Sequence, residues 1–120
     1  MNKQQAYHSF WSGYSIPAYE ENSVPDGATM PYITYESSTD NFDYAVALTA
    51  SIWYRSSSWA DIIDKEATIS STITAGGKIV PYEGGALWIT RAHPWARRST
   101  GETDDLVRRI ILNVFVEFLD

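Results

Sequence analysis

The stretch that decides the fold is DLVRRIILNVFVEF, residues 105–118. Its apolar residues alternate as in a half-buried β-strand, which we expect to span residues 105–119. The face predicted to lie in the core consists of Leu106, Ile110, Leu112, Val114, Val116 and Phe118. The opposite face carries Ile111 and Phe115 beside Arg109, so it is more apolar than contact with solvent alone requires. This stretch therefore predicts a core strand whose second face can meet another surface.

Upstream of this strand the spacing of apolar residues alternates between helical and strand-like patterns. A three- and four-residue spacing of aromatic side chains predicts a helix over residues 3–14, which Pro17 prevents from continuing. Ser58, with Asp61 three residues on, resembles a capping box that opens a second helix, which Gly76 and Gly77 end. Strands are predicted at 32–36, 43–55, 78–82 and 86–91, and a long irregular loop at 92–104.

The order of these elements predicts an α+β fold. We expect a single domain over residues 1–120, with a mainly antiparallel sheet. A central amphipathic helix and an N-terminal helix should pack on one face of that sheet. Ile63 on the central helix and Leu112 on the last strand should both be buried. The chain is 44% hydrophobic and 14% aromatic, which is enough to build such a core.

Composition narrows the possible partners. The net charge of −6 argues against general nucleic-acid binding, which needs a cationic surface, although DNA could slide past without sticking. The chain has no cysteine, so neither a disulfide framework nor a thiolate metal site is expected. The first 15 residues lack the apolar segment of a signal peptide, and no apolar run approaches membrane-spanning length.

No residue pattern predicts catalysis. The two histidines, His8 and His93, have no sequence neighbour that would orient them, and no His, Asp or Glu pair has metal-ligand spacing. Gly76, Gly77 and Lys78 resemble a phosphate loop only superficially, because they follow a helix C-terminus, where the potential is negative. We therefore expect no enzyme activity, no metal and no cofactor.

Arginine is concentrated late in the chain, at Arg91, Arg97, Arg98, Arg108 and Arg109. Two interpretations stay open. The arginines can lie in a solvated loop with weak surface ion pairs. Alternatively, they form an arm that binds an acidic patch on a neighbouring subunit, for which the guanidinium geometry is well suited.

Tryptophan suggests a function of a different class. Trp53, Trp88 and Trp95 could form a platform on which a carbohydrate stacks. Packing in the core or at an interface is the simpler explanation, because Trp53 and Trp88 lie on predicted strands. A small ligand-binding or carbohydrate-binding module is nevertheless kept as an alternative.

Over most of its length the chain resembles the tail-terminator or head–tail joining proteins of the neck of long-tailed bacteriophages. The resemblance lies in short structural motifs: the two helices, the segment from Val24-Pro25 to Pro31-Tyr32-Ile33, the strand from Gly84 to Arg91 with its following loop, and the closing strand from Val107 to Phe118. Other neck and tail-tube components share this general pattern and are the nearest alternative.

The resemblance implies a structural virion protein. Such a protein forms a ring, usually a hexamer, which caps the tail tube and joins the tail to the connector or stopper protein of the head. It is assembled in the host cytoplasm and stays in the virion tail, with no cofactor, catalytic residue or membrane partner. On this basis the predicted assembly interface is Arg91, Trp95, Arg97, Arg98, Arg109 and Phe115.

A ring at this position would let DNA pass through its lumen without specific binding. Fixed positive charge would hold the phosphate backbone, so we expect a neutral or acidic lumen. Asp40 and Asp43, at the turn between the first two clear strands, are the predicted lumen residues. The simpler alternative is that both are turn residues in solvent.

Overall fold

A computed structural model describes residues 1–38, 45–99 and 103–119 of the chain. Its elements are α1 (Lys3–Trp11), β1 (Ala18–Glu20), β2 (Tyr32–Tyr35), β3 (Val46–Arg55), α2 (Ala60–Thr72), β4 (Lys78–Tyr82), β5 (Gly85–Arg98) and β6 (Val107–Leu119). This order confirms the predicted α+β class. The strands form one six-stranded sheet in the order β1-β2-β3-β6-β5-β4. Strands β1 and β2 pair in parallel, and the other neighbours in this sheet are antiparallel.

Helix α1 begins with a complete capping box. The side chain of Asn2 accepts a hydrogen bond from the amide of Gln5, and the side chain of Gln5 accepts one from the amide of Asn2. These bonds satisfy two of the amide groups that a helix start leaves unpaired. The buried side chains of α1 are Ala6, Tyr7, Phe10 and Trp11.

Helix α2 buries a narrower stripe than the sequence predicts. Ile62 and Ile69 are fully buried, as is Ile73 at the C-cap, because spacings of seven and four residues return to the same side of a helix. Ile63 points away from this stripe and is 36% exposed, so its predicted burial is wrong. The predicted capping box is also absent: Trp59 is the N-cap, and the Ser58 hydroxyl accepts from the amide of Ala60.

The central strand β6 confirms most of the predicted core face. Leu112 is fully buried, and so are its neighbours on that face, Val114 and Val116. Leu106 is the exception, with 43% of its surface exposed. It precedes the strand, in a turn in which its amide donates to Asp104 Oδ1 at 2.9 Å.

Strand β5 replaces much of the predicted loop 92–104. It continues through Arg98 because β6 is long enough to pair with it on both sides of an irregularity. Arg91 lies opposite Val114 and Ala96 opposite Leu112, so five residues of β5 advance while β6 advances two. The extra residues form a bulge that contains the cis peptide bond before Pro94. A proline suits such a position because it has no amide to give to the sheet.

Candidate assembly surfaces

The sheet has a covered face and an open face. Both helices place their buried side chains against the face that carries Ile52, Leu87 and Leu112. The residues that alternate with these point to the other side of the sheet, which neither helix covers. This open face therefore includes the second face of β6, which is more apolar than contact with solvent alone requires.

One end of the open face is an apolar patch, defined by Ile79, Trp88, Phe115 and Leu119. These side chains are 50%, 36%, 40% and 44% exposed, respectively. The register brings them together from three strands, since Ile79 lies opposite Trp88, and β5 pairs with β6 beside Phe115 and Leu119. Contiguous exposed apolar side chains on a soluble domain mark an interaction site more often than scattered ones do.

The other end of the open face is an aromatic ladder, defined by Tyr19, Tyr32, Trp53 and Arg109 on four adjacent strands. The ring centroids are 5.8 Å apart between the tyrosines and 6.4 Å apart between Tyr32 and Trp53. The guanidinium carbon of Arg109 lies 4.5 Å from the Trp53 ring centroid, a cation–π contact. The ladder is therefore a continuous row of contacting side chains across four strands.

The six predicted interface residues divide between the two faces of the sheet. Arg97, Arg109 and Phe115 lie on the open face. On the helix side, Arg91 donates to Ser70 at 2.7 Å and Trp95 Nε1 donates to Glu66 at 2.6 Å. The sixth residue, Arg98, also lies on the helix side.

Arg98 stacks within its own chain. Its guanidinium carbon lies 4.7 Å from the ring centroid of Trp59, and that of Arg108 lies 5.4 Å from the same ring. The predicted interface residues therefore do not form one surface. Their role in assembly stays a prediction, now assigned to two separate surfaces.

The three tryptophans do not form the alternative carbohydrate platform. Trp53 lies opposite Arg109 and Trp88 opposite Glu117, both on the open face. Eight residues of strand separate these two positions, a distance of about 26 Å. Trp95 contacts α2 on the other side of the sheet.

Three titratable groups, His8, Arg55 and Asp104, have structural partners. His8 Nδ1 lies 2.8 Å from the Tyr35 hydroxyl, and Arg55 forms a 2.8 Å ion pair with Asp104. The pKa of the Asp104 carboxyl is lowered mainly by the hydrogen bond from the Leu106 amide, and further by the contact with Arg55. In residues 1–38, 45–99 and 103–119, no three His, Cys, Asp or Glu side chains are grouped so that they could hold a metal ion.

The cleft between the two helices, of about 410 Å³, is lined by Phe10, Tyr14, Lys65 and Lys78 among others. Lys65 spans it by donating to the carbonyl of Tyr14 at 2.6 Å. This hydrogen bond links α2 to the segment that follows α1. Burial raises the pKa of the Tyr14 phenol. No described helix is both long and apolar enough to cross a membrane.

The predicted lumen residues, Asp40 and Asp43, lie outside the described residues. Sequence reasoning did not find the aromatic ladder or the contribution of Ile79 and Leu119 to the apolar patch. The alternation within strand 78–82 could have indicated Ile79, but the pairing that brings it beside Trp88 depends on the register of two strands.

Comparisons with known proteins give a structural similarity. No family model matches the chain, and no curated protein matches it. Among solved structures, the chain is similar to one from the virion of a native gene transfer agent particle, with a TM-score of 0.51 and 19% sequence identity. The similarity covers 94% of this chain and 84% of the other. At this identity it shows a shared fold.

Proposed function

We propose that this chain is a structural protein of a phage-like virion. The observation that carries the proposal is the fold, which is shared over 94% of the chain with a component of a gene transfer agent virion. The two differ at most sequence positions, as the 19% identity states, so the similarity lies in the arrangement of elements.

Within this class we propose a ring at the neck that caps the tail tube and joins it to the head connector, with six copies as the working number. A closed ring of identical subunits needs two unlike surfaces, one for each neighbour. The apolar patch and the aromatic ladder lie at opposite ends of the open face and differ in chemistry. They supply such surfaces, or one of them binds the tail tube while another surface closes the ring.

In the proposed role the protein acts through binding alone. It needs no catalytic residue and no cofactor, and its place is in the tail or neck of a virion assembled in the host cytoplasm. The net charge of −6 suits a ring through which DNA passes without being held.

A substitution in the apolar patch tests the proposal. Phe115→Asp should leave the monomer folded, because the side chain is already 40% exposed, and should abolish assembly with tail tubes. Leu106→Asp is the matched control, since Leu106 is 43% exposed but lies outside the patch. Electron microscopy of tails incubated with each variant gives the readout. Capped tails with Phe115→Asp would contradict the assignment of the patch.

Another neck or tail-tube component is the nearest alternative, and the shared fold supports it equally. Binding separates the two: a terminator binds the end of a finished tube, whereas a tube component binds along its length or polymerises by itself.

A further inference from the structure

Strand β5 is paired on both sides over only part of its length. Strand β4 pairs with residues from Gly85 to Ile89 of β5, and β6 pairs with β5 on the other side. Beyond the bulge, residues 96–98 pair with β6 alone among the strands of the described chain. We call these three residues the open half of β5.

The opposite edge of the sheet, β1, lies level with this open half. One continuous row of paired residues crosses five strands: Ala18, Ile33, Ile52, Ile110 and Arg98. The two edges are therefore about 19 Å apart in the same rows of the sheet, at a strand spacing of roughly 4.8 Å.

At each edge, alternate residues direct their backbone amides away from the sheet. Ile33 donates to the Pro17 carbonyl and Glu21 to the Tyr35 carbonyl, so β1 bonds β2 through its odd-numbered residues. The amides of Ala18 and Glu20 consequently face away from the sheet.

The same alternation holds at β5. Ser99 donates to the Arg109 carbonyl, which places the outward-facing amides of the open half at Ala96 and Arg98. An edge of this kind can accept another strand, and β1 and the open half are both three residues long. The Glu20 carbonyl already accepts from the amide of Ser23, so β1 offers its outward-facing amides and the Ala18 carbonyl.

The two edges carry opposite charges. Glu20 and Glu21 lie at the β1 edge, and Arg97 and Arg98 lie in the open half of β5. Beside the open half runs a groove of about 400 Å³, whose walls include Ile63 of α2 and Trp95. The groove gives an incoming strand an apolar wall on the helix side.

The strand directions also agree. Strand β1 is parallel to β2, and two antiparallel steps through β3 make it parallel to β6, whereas β5 is antiparallel to β6. A second copy placed beside the first in the same orientation would thus bring its β1 antiparallel to β5.

We propose that the open half of β5 binds β1 of the next copy, so that the sheet continues from subunit to subunit around the ring. This inference rests on the proposed ring and adds how the ring closes. In the register that continues the shared rows, Ala18 of one copy lies opposite Arg98 of its neighbour and Glu20 lies opposite Ala96. Glu20 and Arg98 are then diagonal neighbours on the same face of the continued sheet. The contact is heterologous, as a ring requires.

Charge reversal tests the pairing directly. In Glu20→Arg every junction between identical copies sets the introduced guanidinium against Arg98, and in Arg98→Glu every junction sets the introduced carboxylate against Glu20. Like charges placed across an interface oppose association, so each variant alone should lose rings at least about tenfold. An equimolar mixture of the two should restore rings in which the two variants alternate, because every junction in such a ring joins opposite charges.

A ring of alternating variants contains two kinds of junction. A junction in which Glu20→Arg presents its β1 to the β5 of Arg98→Glu joins opposite charges, with the guanidinium and the carboxylate exchanged. The next junction joins two unsubstituted side chains, Glu20 and Arg98. Both kinds of junction are therefore complementary in a ring of alternating copies.

Two controls separate pairing from folding. Arg108→Glu removes the other guanidinium from Trp59 without changing the β5 edge, and Glu83→Arg reverses an exposed acid next to β4. Both should leave assembly intact. Native mass spectrometry of the full chain, alone and with tail tubes, counts the copies, and circular dichroism checks that each variant is folded.

The outcomes distinguish the pairing of the strands from the existence of the ring. Rings lost in both single variants and restored in the mixture support the pairing of β1 with β5. Rings that persist in either single variant, or a mixture that fails to restore them, overturn this pairing and leave the proposed ring standing. A wild-type chain that stays monomeric even with tail tubes overturns the ring itself.

Discussion

The indole ring of Trp88 lies directly over Gly77. Its Nε1 donates to the carbonyl of the preceding Gly76 at 2.8 Å, and Gly77 has a φ of +87°. A Cβ at Gly77 would overlap the indole nitrogen and come within 2.8 Å of the Ile89 carbonyl oxygen. The turn after α2 and the apolar patch on the open face are thus built as one unit.

Gly77→Ala should therefore destabilise the fold by about 1–3 kcal/mol, because the new methyl group displaces Trp88 and the backbone conformation disfavours an L-residue. Gly76→Ala is the matched control, since nothing lies within 4 Å of its added Cβ. Urea unfolding followed by tryptophan fluorescence measures both. Equal stability of the two variants would mean that the indole does not hold this position.

The core permits a comparison between adjacent isoleucines. Ile62→Ala should cost about 2–5 kcal/mol of unfolding free energy, as should Leu112→Ala, because both side chains are fully buried. Ile63→Ala should cost about 1 kcal/mol or less, since its side chain is 36% exposed. Thermal melts of the three variants give the ranking. A larger loss for Ile63 than for Ile62 would show that α2 is rotated from its assigned position.

This pair also shows where sequence reasoning reaches its limit. The period of the helix predicted α2 and its approximate ends, but two adjacent isoleucines fit the apolar stripe almost equally well. Contact with the sheet decides between them. By contrast, the strict alternation in β6 fixed the inward position of Leu112, because a shift by one residue would exchange the two faces.

The segment after Arg91 was mispredicted for a related reason. Its proline, arginines and polar residues are typical of a loop, and local propensity contains no information about β6 as a partner. The pairing of Ala96 with Leu112 outweighs that local preference and extends the strand to Arg98. The open half of β5 could therefore be recognised only once the sheet order was known.

Alkaline pH should weaken the fold through the buried phenol of Tyr7. Desolvation raises its pKa in the folded state, whereas in the unfolded chain the phenol ionises near its ordinary value of about 10. The unfolded state thus releases a proton that the folded state keeps. Stability is complete below pH 10 and falls above it by about 1.4 kcal/mol per pH unit for this group.

Tyr7→Phe should remove that part of the alkaline loss. Burial acts in the same direction on the pKa values of Tyr14, Tyr35 and Tyr54, so a smaller loss should persist in the variant. Urea unfolding at pH 8, 10 and 11 for both proteins measures the difference. The assignment is wrong if the two curves fall in parallel above pH 10.

The lumen assignment of Asp40 and Asp43 stays a prediction from the sequence. Asp40→Lys together with Asp43→Lys should slow DNA release, because fixed positive charge would hold the phosphate backbone, while tails still join heads. Ejection rates of assembled particles measure this effect. Unchanged ejection would remove the lumen role and leave the assembly surfaces unaffected.

The central claim is that copies of this chain close into a ring through unlike surfaces. Electron cryo-microscopy of the protein bound to tail tubes tests it most directly. We expect a closed ring, with six copies as the working number, in which β1 of each copy lies beside the open half of β5 of the next. A two-fold dimer, or single copies bound along the tube without touching one another, would contradict the account.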